Sequence, residues 1–287
     1  MVRLNLTTEQ LNAVNLGRAM RRRLTKECDR AAKRALNKDR DVYLDSLISG
    51  DSGVGKSYVI EKTLNDKGVL YVKITGTVSL YGLMGNLMLL HASKPKGQRM
   101  VIFLDDCDFL FESANINILK HMTATQSKDR KFEYTKKIRE SDFTDAQAAV
   151  LDQYTKEGQH GLEIPCDEFV FVIASNMVLP NEQTIKTMSE SQQRKAQHLL
   201  AIRGRFNPFD FALNKHEKWG WLYDVAINDD ALSSLPDEQD RLYLLDFVWQ
   251  NWDRMKETSV RTIQKMAYEI IEDPDYFKDN WELDYLI

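Results

Sequence analysis

Residues 48–57 read Ile-Ser-Gly-Asp-Ser-Gly-Val-Gly-Lys-Ser. Gly50, Gly55, Lys56 and Ser57 form the pattern Gly, four residues, Gly, Lys, Ser, with Gly53 as a third glycine inside it. Glycines let the backbone turn successive N–H groups inward, and those donors with the start of a following helix make a nest for anionic oxygens. Lys56 is placed to reach terminal phosphates and Ser57 to ligate Mg²⁺. The pattern carries weight only between a strand and a helix. Residues 42–49, VYLDSLIS, read as that strand, and SYVIEKTL, from Ser57, as that helix.

The alternation continues. GVLYVKI, RMVIFLDD and EFVFVIASN are apolar runs of strand length; LYGLMGNLMLLHA and NINILKHMTA between them read as helices. Strands alternating with helices predict a parallel sheet with helices on its faces. The span from Asp106 to Glu168 is long for one crossover; RKFEYTKKIRE and HGLEIPCDE within it suggest an inserted hairpin or extra helix over about 125–168. Beyond residue 210 the periodicity is helical in EKWGWLYDVAI, EQDRLYLLDFVWQNW and VRTIQKMAYEII, with Pro236 expected at a helix start. Residues 8–36 also read as helical, with Leu11, Val14, Met20, Leu24 and Cys28 on one face and Gly17 in the stripe. The expected organisation is therefore a basic helical segment over 1–40, an α/β nucleotide-binding subdomain over 41–210 and a helical subdomain over 211–287.

VIFLDDCD places Asp105 and Asp106 at the carboxyl end of a strand, where open α/β sheets bind ligands. One carboxylate can hold Mg²⁺ and the next polarise an attacking water. Asp105 is assigned to the metal and Asp106 to the water; Asp108 reads better as a cap for the next helix.

GDSGVGKS and VIFLDD resemble the Walker A and Walker B elements of the AAA+ ATPases. The resemblance covers 41 to about 271 and implies an α/β P-loop AAA+ core, a parallel sheet flanked by helices, with a C-terminal helical lid. It implies ATP and Mg²⁺ as cofactors, with Gly50, Asp51, Ser52, Gly53, Val54, Gly55, Lys56 and Ser57 around the phosphates. It implies a sensor-one role for Asn176 in VFVIASNM, and an arginine finger in LLAIRGRFNPFDF, with Arg205 the first choice and Arg203 the second. It implies a sensor-two role for Arg261 in ETSVRTIQKMA. Each has a bland competitor: a strand-end turn residue, loop arginines or a solvated helix arginine. The chain departs from many members in having Asp-Asp where they have Asp-Glu. Replication initiators and helicase loaders also often show Asp-Asp, which tilts the reading toward nucleic acid. ISGDSGVGKS, the acids of LDDCD and SVRTIQKMA together also resemble AAA+ proteins encoded by bacteriophages.

Charge adds a direction. Net charge is −4, yet residues 1–40 hold eleven Lys/Arg against four Asp/Glu, and the final EDPDYFKDNWELDYLI is acidic. Arg18, Arg21, Arg22, Arg23, Lys26, Arg30, Lys33, Arg34 and Lys38 make a basic segment suited to a DNA or RNA backbone, or to the acidic end of a neighbouring subunit. In the insert, Lys128, Arg130, Lys131, Lys136 and Lys137 beside Phe132 and Tyr134 suggest a hairpin that stacks on bases. The competing expectations are a protein remodeller gripping polypeptide through Tyr81-Gly82, where Leu80, Leu83, Leu87 and Leu90 fit a packed helix better, and a regulatory ATPase that serves a protein partner and threads nothing. A finger acting in trans implies a homo-oligomer, expected as a hexamer. No apolar run nears the roughly 18 residues that span a bilayer, and the start of the chain has no signal-peptide pattern. Cys28, Cys107 and Cys166 are far apart without metal spacing and read as buried thiols of a cytoplasmic protein; for a phage-encoded chain that is the host cytoplasm.

Overall fold

The computed structural model describes residues 5–36, 45–155, 161–211, 213–229 and 231–287. Lys38, the first residues of the expected strand over 42–49 and part of the 125–168 insert lie outside them. The elements are α1 (Thr8–Leu36), β1 (Asp45–Gly50), α2 (Lys56–Asp66), β2 (Tyr71–Thr75), α3 (Leu80–Ser93), β3 (Met100–Asp105) and α4 (Ile116–Met122). Next come β4 (Lys131–Tyr134), α5 (Asp145–Leu151), β5 (Leu162–Pro165), β6 (Phe169–Ser175), α6 (Glu182–Lys186), α7 (Glu190–Arg203) and β7 (Phe206–Phe211). The chain ends in α8 (Lys215–Asn228), α9 (Glu238–Asn251), α10 (Val260–Glu272) and α11 (Pro274–Tyr285). The fold class is the expected one: a parallel sheet flanked by helices, with a helical C-terminal region.

Two compact units emerge. The α/β unit comprises the described residues of Thr25–Gly50 and Ser57–Phe211. Its sheet runs β2-β3-β6-β1-β7, every pairing parallel. The inner strands β1, β3 and β6 are buried almost throughout, while the edge strands β2 and β7 are only partly buried. Continuous apolar runs mark strands covered on both faces. The sequence reading did not foresee β7, because FNPFDF contains Pro208. An edge strand tolerates proline, which has no N–H to give a second neighbour.

The polar residues of β1 have internal partners. Asp45 is 1% exposed and accepts from both terminal nitrogens of buried Arg130, at 2.9 and 3.1 Å, and from the Phe171 N–H at 2.8 Å. The insert is both a hairpin and a helix: β4 and β5 pair antiparallel, with α5 between them. It does not offer the expected pair of aromatic rings for stacking on bases. Phe132 is fully buried in the core, Arg130 serves Asp45 and Lys131 pairs with Glu163, so of the five bases singled out there Lys128, Lys136 and Lys137 stay exposed. Tyr81 lies in the first turn of α3, its hydroxyl 3.1 Å from that of Tyr134 and its ring edge-on to Phe143. Leu83 and Leu87 are buried, as the packed-helix reading requires.

The helical unit comprises the described residues of Met1–Leu24, Asp51–Lys56 and Ala212–Ile287. Helix α1 is unbroken through Gly17, and that glycine has a reason. A Cβ there would lie 2.1 Å from the Gly220 carbonyl carbon, and one on Gly220 would lie 1.8 Å from the Ala13 oxygen. The two helices cross backbone to backbone, which only glycine permits. The buried stripe runs through Ala13, Val14, Gly17 and Met20; Leu11, expected in it, is exposed. Pro236 precedes the start of α9, whose cap is Asp237 accepting the Gln239 N–H. The acidic C-terminal stretch forms α11, whose Tyr285 hydroxyl donates to Glu269 of α10 at 2.6 Å. Among the described residues, no helix is long and apolar enough to cross a membrane.

Candidate nucleotide site

In the α/β unit the sequence-predicted acids gather at the carboxyl edge of the sheet. The Ser57 hydroxyl donates to Asp105 Oδ1 at 2.7 Å. The other oxygen of Asp105 lies 3.1 Å from Lys73 Nζ, which also bonds Glu61 at 2.5 Å. Burial pulls the Lys73 ammonium down, but its bonds to Glu61 and Asp105 outweigh this and raise it overall. A serine hydroxyl beside a carboxylate is the hard oxygen pair that suits Mg²⁺. Lys73 and Glu61 were not anticipated, although a lysine in an apolar strand was a visible signal.

Asp106 follows with φ 55°, the left-handed region, where a non-glycine backbone costs about 1 kcal/mol. Its N–H bonds the Ala174 carbonyl at 3.0 Å, and Gly76 leaves room for its own carbonyl, which a Cβ would meet at 2.0 Å. Its carboxylate accepts from Asn176 Nδ2 at 3.0 Å. The expected water-polarising acid and sensor-one residue are thus in direct contact. Asp108 caps no helix; it accepts the Ser175 hydroxyl at 2.5 Å. Burial, then Asp105, pushes the Cys107 thiol up to about 12, keeping it protonated.

The two finger candidates are placed differently. Arg203 holds Asp210 through two bonds, at 3.0 and 2.5 Å, and also the Leu179 carbonyl at 3.1 Å. Asp210 in turn accepts the Ser49 hydroxyl at 2.8 Å. Arg203 first, against burial and with help from Ser49, holds the Asp210 carboxyl below its ordinary range. Arg205, half-buried, donates to the Lys120 carbonyl at 2.9 Å. Gly50, at φ 151°, ends β1 where a Cβ would meet the Phe211 oxygen at 2.2 Å.

In the helical unit lies the glycine loop, Asp51–Lys56. Gly53 at φ 70° and Gly55 at φ 84° adopt the left-handed turns that an anion-facing loop needs. Asp51 and Ser52 are exposed, whereas Val54 is fully buried. Lys56 is 6% exposed and donates to the Asp51 carbonyl at 2.6 Å. Behind the loop, the Val260 N–H bonds the Gly53 carbonyl at 3.0 Å, the Trp221 indole N–H bonds the Val54 carbonyl, and Lys218 lies 3.3 Å from Asp51 Oδ2. Sequence reasoning missed these three partners, which share no motif with the loop. Arg261 is exposed in the first turn of α10, one residue after Val260. Among the expected nucleic-acid residues, Arg21 is committed internally to Asp224 at 2.9 Å and Asp229 at 2.5 Å. Arg22, Arg23, Lys26 and Lys33 stay exposed along α1.

No protein-family model matches the chain. The chain is 25% identical over 243 residues to an uncharacterized 36.7 kDa protein of the nrdC-mobD intergenic region of Enterobacteria phage T4, covering 82% of this chain. It spans 65% of that relative's length. Among solved structures it is similar to the RuvB Holliday junction branch migration motor of Thermotoga maritima. There the identity is 13% and the TM-score 0.42, over 89% of this chain and 61% of that one.

Proposed function

We propose that this chain is a Mg²⁺-dependent ATP hydrolase of the AAA+ type, working as an oligomer on nucleic acid or nucleoprotein. The observation that carries the reading is the hydrogen bond from Ser57 to Asp105. It joins the residue after the glycine loop to the acidic strand end that the two sequence motifs separately suggested.

In this reading the amides of Ser52–Gly55 and the Lys56 ammonium hold the phosphates, while Ser57 and Asp105 hold Mg²⁺. Bound Mg²⁺ and ATP supply a polarised phosphoryl group and its leaving group. Asp106 orients a water and takes up its proton, and Asn176 fixes the Asp106 carboxylate. Arg261 reaches the nucleotide of its own chain. Arg205 serves the nucleotide of a neighbouring copy, which is why a ring, of six in our reading, is required; Arg203 is already held by Asp210. ATP turnover that requires Mg²⁺ and is lost in Lys56→Ala tests the assignment. Undiminished turnover in that variant would remove it.

The nucleic-acid reading is favoured over protein remodelling by two observations. Arg22, Arg23, Lys26 and Lys33 present bases along α1, and Tyr81, the residue meant to grip polypeptide, is bonded to Tyr134. Binding through such bases releases counterions and weakens steeply with salt. DNA should stimulate the ATPase at low salt, and replacing Arg22, Arg23 and Lys26 with Ser should abolish the stimulation. A rate indifferent to DNA at every salt concentration would refute this part alone. We place the action in the cytoplasm, that of the host for a phage-encoded chain.

A further inference from the structure

We propose that Trp221 and Lys218, both on α8, are positioning residues that set the glycine loop in its phosphate-binding shape. The inference rests on the nucleotide reading above. A peptide unit is planar, so the carbonyl of one residue and the N–H of the next point in opposite directions. Fixing a carbonyl behind the loop therefore aims an amide in front of it. The Val260 N–H holds the Gly53 carbonyl and so aims the amide of Val54. The Trp221 indole holds the Val54 carbonyl and so aims the amide of Gly55.

Trp221 and Val54 are both fully buried, where no water can replace the indole donor. A buried carbonyl without a donor is costly, which drives the peptide to turn when the donor is lost. Lys218 acts on the loop's other end. The Asp51 carboxylate would repel a polyphosphate, and Lys218 at 3.3 Å offsets that charge. Helix α8 can serve as a fixed frame because it is itself held. Gly220 is locked against Ala13, Asp224 and Asp229 take Arg21, and the Trp219 indole donates to the Leu245 carbonyl at 2.9 Å.

The test combines amide exchange with kinetics on the full chain. Trp221→Phe keeps an aromatic ring and removes the donor. In the nucleotide-free variant, exchange of the amides of residues 54 and 55 should accelerate about tenfold, the scale of one lost hydrogen bond. The KM for Mg·ATP should rise about five- to tenfold with kcat changed less than twofold, because a ground-state seat is loosened. Lys218→Gln should raise KM by a smaller factor, and Lys218→Arg should restore it. Unchanged exchange and KM in Trp221→Phe would overturn the proposal, as would a fall in kcat at constant KM. If Trp221→Phe fails to fold by circular dichroism, the Lys218 pair decides: a raised KM rescued by Arg supports the proposal, and an unchanged KM overturns it. A wild-type chain without affinity for Mg·ATP sinks the nucleotide reading and this inference together. Wild-type affinity with indifferent variants sinks this inference alone.

Discussion

Ser57 gives its hydroxyl hydrogen to Asp105 across 2.7 Å, tying the first turn of α2 to the carboxyl end of β3. The same carboxylate faces Lys73 at 3.1 Å. Asp105→Asn keeps an acceptor for Ser57 but removes the charge a divalent cation requires. We expect the Mg²⁺ concentration for half-maximal ATP turnover to rise about tenfold or more. A titration of rate against Mg²⁺ measures this, and an unshifted midpoint would place the metal elsewhere.

Asp106→Asn should bind ATP as the wild type does and turn it over about 10²- to 10⁴-fold more slowly, the range for loss of a general base. Asn176→Ala should act in the same direction and less strongly, since it removes one donor to the Asp106 carboxylate without deleting the carboxylate. Single-turnover rates with saturating ATP separate the two. Normal turnover in Asp106→Asn would assign the water to another group.

Arg203 and Arg205 should part company. Arg203→Ala removes two bonds to a carboxylate and should lower unfolding free energy by about 1.5–3 kcal/mol. Arg205→Ala loses one bond, to the Lys120 carbonyl, and should cost less stability, about 0.5–1.5 kcal/mol, while cutting turnover by about 10³-fold or more. Wild-type activity per chain should also rise with protein concentration. Melting curves beside ATPase assays decide this; monomers with full activity in sedimentation would contradict the finger.

The Arg203–Asp210 pair also sets a pH dependence. Arg203 keeps the folded-state Asp210 below its unfolded value. Its contribution is therefore fully present above the ordinary Asp pKa, about 3.9, and is lost as pH falls through the lower folded value. Asp210→Asn should be less stable at neutral pH and show a shallower loss of stability below about pH 4. Urea unfolding at a series of acidic pH values would reveal parallel curves if the pair were inert.

Arg130→Met should be the most damaging of these changes to the fold. It leaves the Asp45 carboxylate buried without its cation, at a cost of about 3–5 kcal/mol. Thermal denaturation of the variant checks it, and a melting point within 2 °C, by the ordinary scaling of stability with Tm, would show that Asp45 is neutralised some other way.

Much of the framework was legible in the residues. The apolar runs of β3 and β6 announced strands covered on both faces, and Gly50, Lys56 and Ser57 in their spacing marked the loop. The acids at 105 and 106 were legible because a strand's end follows from its own hydrophobic pattern. β7 was hidden by Pro208, a residue whose cost depends on whether its strand lies inside a sheet or at its edge. Leu11 was placed on the wrong face because the buried stripe of α1 runs through Ala13 and Gly17, small residues with no hydrophobic signature.

What the sequence determined by itself was local: which segments are strands and helices, where the backbone can turn left-handed, and which side chains could carry charge or metal. What only tertiary structure decided was pairing. Arg130 looked like a nucleic-acid contact until Asp45 appeared beside it, 85 positions away in the chain. Arg21 looked free until Asp224 and Asp229 took it. Trp221 was one more apolar position of a helix until its indole met the Val54 carbonyl. Periodicity is set by bonded geometry over a few residues and can be read along the chain. The partner of a charge or a donor is set by which distant segments the core brings together, and no short stretch of sequence contains that distance.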